Sequence, residues 1–298
     1  MTTRPDWAVD GATWPYRDQS TFPLVANLRW HVQRIGSGPV LLCLHGTGAA
    51  SHSFAPLAAE LAGDFTLVIP DLPGHGFSDT PAAARGLSLP GMASALSALL
   101  ESLDVQPDLV LGHSAGAALA VRLIVDGLPT RGLVGLNPAI MLPDNPREML
   151  LWPLAAGIAR QPLVAGLIAR LARDRGTAAR VLRANSPALP DDQVELYHRL
   201  WRCDGHVRAV LTMMAEWDVT PVREEVARLP VPALLLAGPR DPWFPPPVVT
   251  RLAASFPSAQ CVTIEGTGHL SHEERPDLVA GAIRAFVATL PPARRLTP

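Results

Sequence analysis

Six short apolar runs recur along the chain, each cut off by Gly, Pro or Asp: "PVLLCLHG" (39–46), "FTLVIPDLPGHG" (65–76), "DLVLGHS" (108–114), "GLVGLNPA" (132–139), "PALLLAG" (232–238) and "QCVTIEG" (260–266). Apolar runs without polar alternation mark strands covered on both faces of a parallel sheet. Two stretches, 22–26 and "LRWHVQRI" (28–35), precede them as opening strands, the second with some alternation. Between the runs, segments of helical character cover 53–62, 91–103, 115–126, 246–255 and 276–290. Strand and helix therefore alternate, which predicts an α/β fold: a doubly wound, mostly parallel eight-stranded sheet with right-handed crossovers. One interval, between the runs at 132–139 and 232–238, breaks the rhythm and is helical and richer in Arg, Trp and Met. The chain divides accordingly into a core domain, 1–140 and 229–298, and an inserted helical cap or lid, 141–228. The cap is expected over the carboxyl ends of the strands, where such sheets bind ligands.

The run at 108–114 ends in Gly112-His113-Ser114-Ala115-Gly116, a G-x-S-x-G pattern between an apolar strand and a helix. A serine held at so sharp a strand-to-helix turn needs neighbours without bulk two positions away on each side. The helix amino terminus then directs N–H groups at negative charge developing near the hydroxyl. A serine hydroxyl is a poor nucleophile without a base, and the base needs an acid to orient it. Asp241 in "LLLAGPRDPWFPP" (234–246) and His269 in "VTIEGTGHLSHEE" (262–274) follow two successive strands, in the order serine, acid, histidine. "HGTG" (45–48) follows the strand at 39–44 and resembles a His-Gly loop that supplies an oxyanion donor. The candidate donors are the backbone N–H groups of Thr47 and Ala115.

Other readings of these residues are possible. Ser114 could simply cap a helix, since Ser is a preferred cap. Asp71 lies upstream of Ser114, Asp204 and Asp218 fall in the cap, and Glu265 shares the strand end of His269. Asn137 and Pro138 occupy the alternative acid position and cannot serve as an acid. His269 and His272 form an H-x-x-H pair without a third ligand cluster, so His272 is read as structural. His45 and His75 are read as ordering loops, and His113 as structural, pointing away from the nucleophile. Trp152, Trp201, Met213, Met214 and Trp217 either line a cavity or pack helices together.

Composition narrows the chemistry further. All 25 basic residues are arginine, which removes Schiff-base chemistry and the P-loop lysine. A hydrophobic fraction of 48% with 17% charged residues indicates a folded globular protein, and a net charge of −2 gives no reason to expect nucleic acid. Cys43, Cys203 and Cys261 are widely spaced and read as reduced thiols of a cytoplasmic protein. The opening residues, "MTTRPDWAVDGATWPYRD", contain no apolar segment of the kind that marks a secretory signal, so none is expected. The stretch at 149–173 is interrupted by Pro153, Arg160, Pro162 and Arg170, so no transmembrane span is expected. The chemistry itself requires no cofactor and no metal.

Together, "HGTG", "PDLPGHGFSD", "GHSAG", "RDPWFPP" and "GTGHLSHEE" resemble the α/β-hydrolase superfamily with a serine nucleophile, over residues 22–290. The resemblance implies Ser114 as nucleophile, Asp241 as acid, His269 as base, and Thr47 and Ala115 as oxyanion donors. Further segments, "LRWHVQRIGSGPVLLCLHGTGA" (28–49), "GLSLPGMASAL" (86–96), "GHSAGAALA" and "GHVRAVLTMMAEWDVTP" (205–221), with Trp14-Pro15, are similar to one branch: the magnesium chelatase accessory proteins encoded with bacteriochlorophyll biosynthesis genes. That resemblance implies a role in tetrapyrrole synthesis around magnesium insertion. Its partners would be a small hydrophobic substrate such as a porphyrin ester, and magnesium chelatase subunits. Two alternatives stay open: a non-catalytic tetrapyrrole- or chelatase-binding protein, and a C–C bond hydrolase or cofactor-free peroxidase on the same residues.

Overall fold

Residues of alternate parity in the central strands meet different helices, so both faces of the sheet are apolar. In β5 (Val40–Leu44), Leu42 and Leu44 join one buried cluster while Leu41 and Cys43 join another. The same division runs through β6 (Thr66–Pro70), β7 (Leu109–His113), β8 (Gly132–Leu136) and β9 (Ala233–Ala237). On the first face pack α2 (Leu89–Ser102), α3 (Ala115–Val125) and α9 (Pro246–Ala253), and on the second α1 (Ala55–Leu61) and α11 (Pro276–Thr289). Each fully buried Leu or Ile contributes about 2 kcal/mol by leaving water, which is why these runs need no polar alternation.

The computed structural model describes residues 4–140 and 162–291. Its main sheet has eight strands in the order β1-β4-β6-β5-β7-β8-β9-β10, with β1 (Ser20–Thr21), β4 (Val32–Gly36) and β10 (Ala259–Thr263) completing the set. The β1/β4 and β4/β6 pairs are antiparallel and the remainder parallel. The doubly wound fold is as the sequence indicated, with two differences of detail. The opening stretch does not form two continuous strands. β1 precedes the expected segment, and β2 (Leu24–Val25) pairs with β3 (Leu28–Arg29) in a separate hairpin. Ala26 and Asn27 at its tip both have positive φ, the backbone of a tight hairpin turn. β10 is an edge strand and is partly exposed along its length, so its apolar run is not covered on both faces.

Between β8 and β9 the described residues form α4 (Pro162–Ala172), α5 (Arg175–Asn185), α6 (Asp191–Trp201), α7 (Asp204–Glu216) and α8 (Thr220–Glu225). Residues 141–161 lie outside the described residues. They include Trp152, the start of the expected cap and much of the apolar stretch at 149–173. Asp174 caps α5 by accepting from the Thr177 N–H at 2.7 Å. Leu182 of α5 and Val194 and Tyr197 of α6 pack with Ala49 and Leu270, which belong to loops beyond β5 and β10. The inserted helices thus rest on the carboxyl ends of the parallel strands.

The turn after β7 depends on two glycines. A Cβ on Gly112 would lie 2.3 Å from the Gly116 carbonyl oxygen, and one on Gly116 would lie 2.1 Å from that of Leu44. Both obstacles are backbone and cannot rotate aside. Gly116→Ala is expected to lower the unfolding free energy by about 1–3 kcal/mol. Gly281→Ala, on an exposed face of α11 with no atom within 4 Å of its Cβ, should instead raise it by about 0.5–1 kcal/mol. Urea unfolding of the two variants beside the parent protein checks both signs.

Candidate active site

Ser114 stands between β7 and α3 with φ 52° and ψ −118°. This is a backbone conformation that L-residues rarely adopt, and it costs about 1–3 kcal/mol. Surrounding hydrogen bonds hold it. The Ser114 N–H donates to the Leu136 carbonyl at 2.9 Å, and the Ser114 carbonyl accepts from Ala117 at 3.0 Å and Ala139 at 3.1 Å. Its side chain makes no capping hydrogen bond to α3, so the helix-cap reading does not hold. The strained turn places the hydroxyl on a cavity wall.

His269 and Asp241 are drawn together from the loops after β10 and β9. The His269 Nδ1–H donates to Asp241 Oδ2 at 2.7 Å, and no hydrogen-bond partner is seen for Nε2 among the described residues. Asp241 is buried. Burial alone would raise its pKa, but the hydrogen bond and charge of His269, with backbone donors from Trp243 and Phe244, outweigh it and hold the carboxylate below its ordinary range. Ser114 and His269 line the same cavity, but no hydrogen bond joins their side chains. Catalytic hydrogen bonds are often long in unliganded enzymes and tighten on the substrate. Thr47 lines the cavity as well, and Ala115 is the first residue of α3. Among the described residues no hydrogen-bond partner is seen for either backbone N–H.

The structure also reveals supports that the sequence did not single out. Asn137 Nδ2 donates to Asp241 Oδ2 at 2.8 Å, and its Oδ1 accepts from Ser271 at 2.9 Å. Unable to be the acid, Asn137 holds the acid in place. His113 is not turned away from the site. Its Nε2–H donates to the His269 carbonyl at 3.0 Å, and its ring lies between those of His269 and His272. The insertion takes part too. The His269 N–H donates to the Asn185 carbonyl and the Leu270 N–H to Ser186 Oγ, both at 2.8 Å. These contacts join residues far apart in the chain, and no local pattern signals them.

The cavity over Ser114 measures about 160 Å³ and takes apolar wall from Ala49, Leu182, Tyr197, Trp201 and Leu270. Among the described members of the aromatic and methionine group, Trp201 lines it, while Met213 and Trp217 pack into the core. The other acids lie elsewhere. Asp71 is buried, accepting from His31 Nδ1 and from the backbone N–H groups of Ser51 and Phe77. Burial opposes its ionisation, yet these donors keep it well below the ordinary carboxylate range. Asp204 pairs with Arg173, and Asp218 accepts from the Thr220 N–H.

Histidines are concentrated behind this face. His45 orders its loop through the Gly46 carbonyl and the Leu72 N–H, and His75 through the Pro73 carbonyl. The His272 Nε2–H donates to Ser53 Oγ at 2.9 Å. Burial lowers the pKa of His45, His75 and His113, and pushes His52, His206 and His272 down to about 3. Glu273 is buried among them and accepts from Ser53 at 2.5 Å and Tyr197 at 2.7 Å. Burial outweighs those donors and pushes its carboxyl up to about 8.

Comparison with known proteins shows the family to which the chain belongs. The sequence model of the alpha/beta hydrolase family matches residues 41–282. The magnesium-chelatase 30 kDa subunit of Rhodobacter capsulatus is 35% identical over 274 residues, covering 91% of this chain and 95% of that protein. The pimeloyl-[acyl-carrier protein] methyl ester esterase of Xanthomonas axonopodis pv. citri is 32% identical over 276 residues, covering 88% of this chain and all of that protein. An alpha/beta hydrolase fold protein from Burkholderia ambifaria superposes with a TM-score of 0.75 at 24% identity, covering 89% of this chain and 97% of that one, which shows a shared fold.

The buried histidines set the pH dependence of stability. Burial favours the neutral form of His45, His52, His75, His113, His206 and His272 in the folded protein, whereas they titrate near 6.5 once unfolded, so below that pH the unfolded chain binds more protons. Stability is then lost as pH falls from about 6.5 toward 3, by up to about 1.4 kcal/mol per pH unit for each histidine. Glu273 works in the opposite sense: the folded state keeps its proton up to about pH 8 while the unfolded state releases it near 4.3, so stability falls as pH rises between them. Urea midpoints should peak between about pH 6 and 7.5, and Glu273→Gln should flatten the alkaline side. A midpoint unchanged between pH 7 and 5 would contradict the neutral-histidine core.

Proposed function

Because this chain belongs to the alpha/beta hydrolase family, we propose that it is a serine hydrolase that cleaves ester-type bonds by acyl transfer through Ser114, His269 and Asp241. The observation that carries this reading is the Ser114 backbone at φ 52°, which directs a hydroxyl into a cavity shared with an imidazole that is already paired to a buried carboxylate. His269 Nε2 takes the Ser114 proton as Oγ attacks the ester carbonyl. Asp241 fixes the tautomer and stabilises the imidazolium that forms. The oxyanion settles between the N–H groups of Thr47 and Ala115, each worth about 3 kcal/mol in the transition state. His269 then protonates the departing alcohol, and water, activated by the same imidazole, releases the acid from Ser114.

The helices within 141–228 serve as a cap that shelters this cavity from water. The substrate is small and hydrophobic where it enters. A porphyrin ester would present only an ester-bearing arm, since about 160 Å³ cannot hold its ring. The similarity to the magnesium-chelatase 30 kDa subunit supports a place in tetrapyrrole and bacteriochlorophyll biosynthesis, in association with magnesium chelation. The three unpaired thiols suit the reducing cytoplasm. No helix of the described residues is long and apolar enough to cross a membrane. A second reading, an accessory protein that binds a tetrapyrrole or the chelatase without catalysis, draws on that relative's being a named chelatase subunit and on the missing Ser114–His269 hydrogen bond.

A fluorophosphonate probe separates the two. Rapid labelling of the parent protein and none of Ser114→Ala is expected, with His269→Ala slowed by about 10³-fold or more and Asp241→Asn by about 10³–10⁴-fold. Labelling that survives in Ser114→Ala removes the serine from its role, and a folded parent protein that never labels favours the accessory reading.

A further inference from the structure

We propose that the Ser114 cavity is an acyl site for a short, uncharged acyl group, and that Trp243, pinned by Asn185, is the wall that limits its length. The inference rests on the hydrolase reading above. A cavity of about 150 Å³ with apolar walls takes up one benzene, so about 160 Å³ here suits an acyl chain of similar size. Of the described residues lining it, none carries a charge except the His269 imidazole when protonated. The polar tips of its aromatic walls are already engaged. The Tyr197 hydroxyl donates to Glu273 at 2.7 Å, and Trp201 Nε1–H donates to the Gly48 carbonyl at 2.8 Å. A carboxylate or ammonium at the end of the chain would therefore find no permanently charged group to pair with among these residues and would bear most of its desolvation cost. The acyl group stays on Ser114 through both half-reactions. The alcohol leaves past His269, whose side chain is 17% exposed, so the sheltered space belongs to the acyl side.

Trp243 stands at the rim with half of its surface exposed. Two hydrogen bonds hold it there. Its backbone N–H donates to Asp241 Oδ1 and its indole Nε1–H to Asn185 Oδ1, each at 2.8 Å. Asn185 is itself oriented, since its Nδ2 donates to the Val181 carbonyl at 2.9 Å. An indole tied at one end to the acid loop and at the other to the inserted helix α5 is a fixed wall. It meets the chain at the point where the cavity would otherwise open to solvent.

The test measures kcat/KM for p-nitrophenyl acetate, butyrate, hexanoate, octanoate and decanoate, and for the hexanoate analogue with a terminal carboxylate. The parent protein should prefer butyrate or hexanoate, lose about tenfold or more at decanoate, and lose about tenfold or more on the carboxylate analogue. Trp243→Ala should move the optimum to longer chains, and Asn185→Ala should move it in the same direction by less. A folded, active Trp243→Ala with an unchanged chain-length profile overturns the role of Trp243. A parent protein that cleaves decanoate or the carboxylate analogue as well as hexanoate overturns the short, neutral site. Absence of all ester cleavage would count against the hydrolase reading instead, and calorimetric binding of butanamide through decanamide to Ser114→Ala then decides the size limit. Selectivity for the short amides that Trp243→Ala abolishes supports it, and equal or no binding overturns it.

Discussion

One backbone constraint underlies the whole site. Ser114 occupies φ 52°, ψ −118° because the chain must pass from β7 into α3 without a straight continuation, and because the Leu44 and Gly116 carbonyls leave no room for side chains at Gly112 and Gly116. The strain of about 1–3 kcal/mol is carried by the core below. β7 lies between β5 and β8 in the parallel sheet, and the Ser114 N–H is held by the Leu136 carbonyl of β8. The same turn sets Ala115 at the start of a helix, so in the proposed mechanism the nucleophile and an oxyanion donor come from one piece of geometry.

His269 and Asp241, the proposed base and acid, are placed by hydrogen bonds that reach well beyond their own loops. Asp241 accepts from His269, Asn137 and the Trp243 N–H, so both of its oxygens are engaged. His269 is held through its backbone by Asn185 of the insertion and by His113 beside the nucleophile. Glu274 adds another tie, accepting from Gly268 at 2.6 Å and from Ala188 at 2.8 Å. The insertion therefore meets the base loop through hydrogen bonds as well as apolar packing, and displacement of residues 185–188 would displace the imidazole with them.

What could be read from the chain follows from the range of each interaction. The central strands and their helices were legible because an uninterrupted apolar run has one stable setting, covered on both faces. The two-residue strands near the amino terminus were not, because their pairing depends on partners rather than on a run of their own. The glycine spacing pointed to the turn that carries Ser114, and the order of the strands to the two loops whose Asp241 and His269 side chains meet. Asn137 was passed over because it was judged as an acid, whereas its value is as a donor to one. His113 was expected to face away, yet its ring nitrogen supports the base. Asn185 and Trp243 meet across 58 positions of chain, a contact that no local pattern encodes.

The most direct measurement of the central claim is a crystal structure of the protein after reaction with a short-chain alkyl phosphonate. The expected structure has phosphorus bonded to Ser114 Oγ and one phosphonyl oxygen about 2.7–3.1 Å from the backbone nitrogens of both Thr47 and Ala115, with the alkyl chain directed toward Leu182 and Trp243. An adduct on another residue, or a phosphonyl oxygen facing solvent away from those two nitrogens, would contradict it.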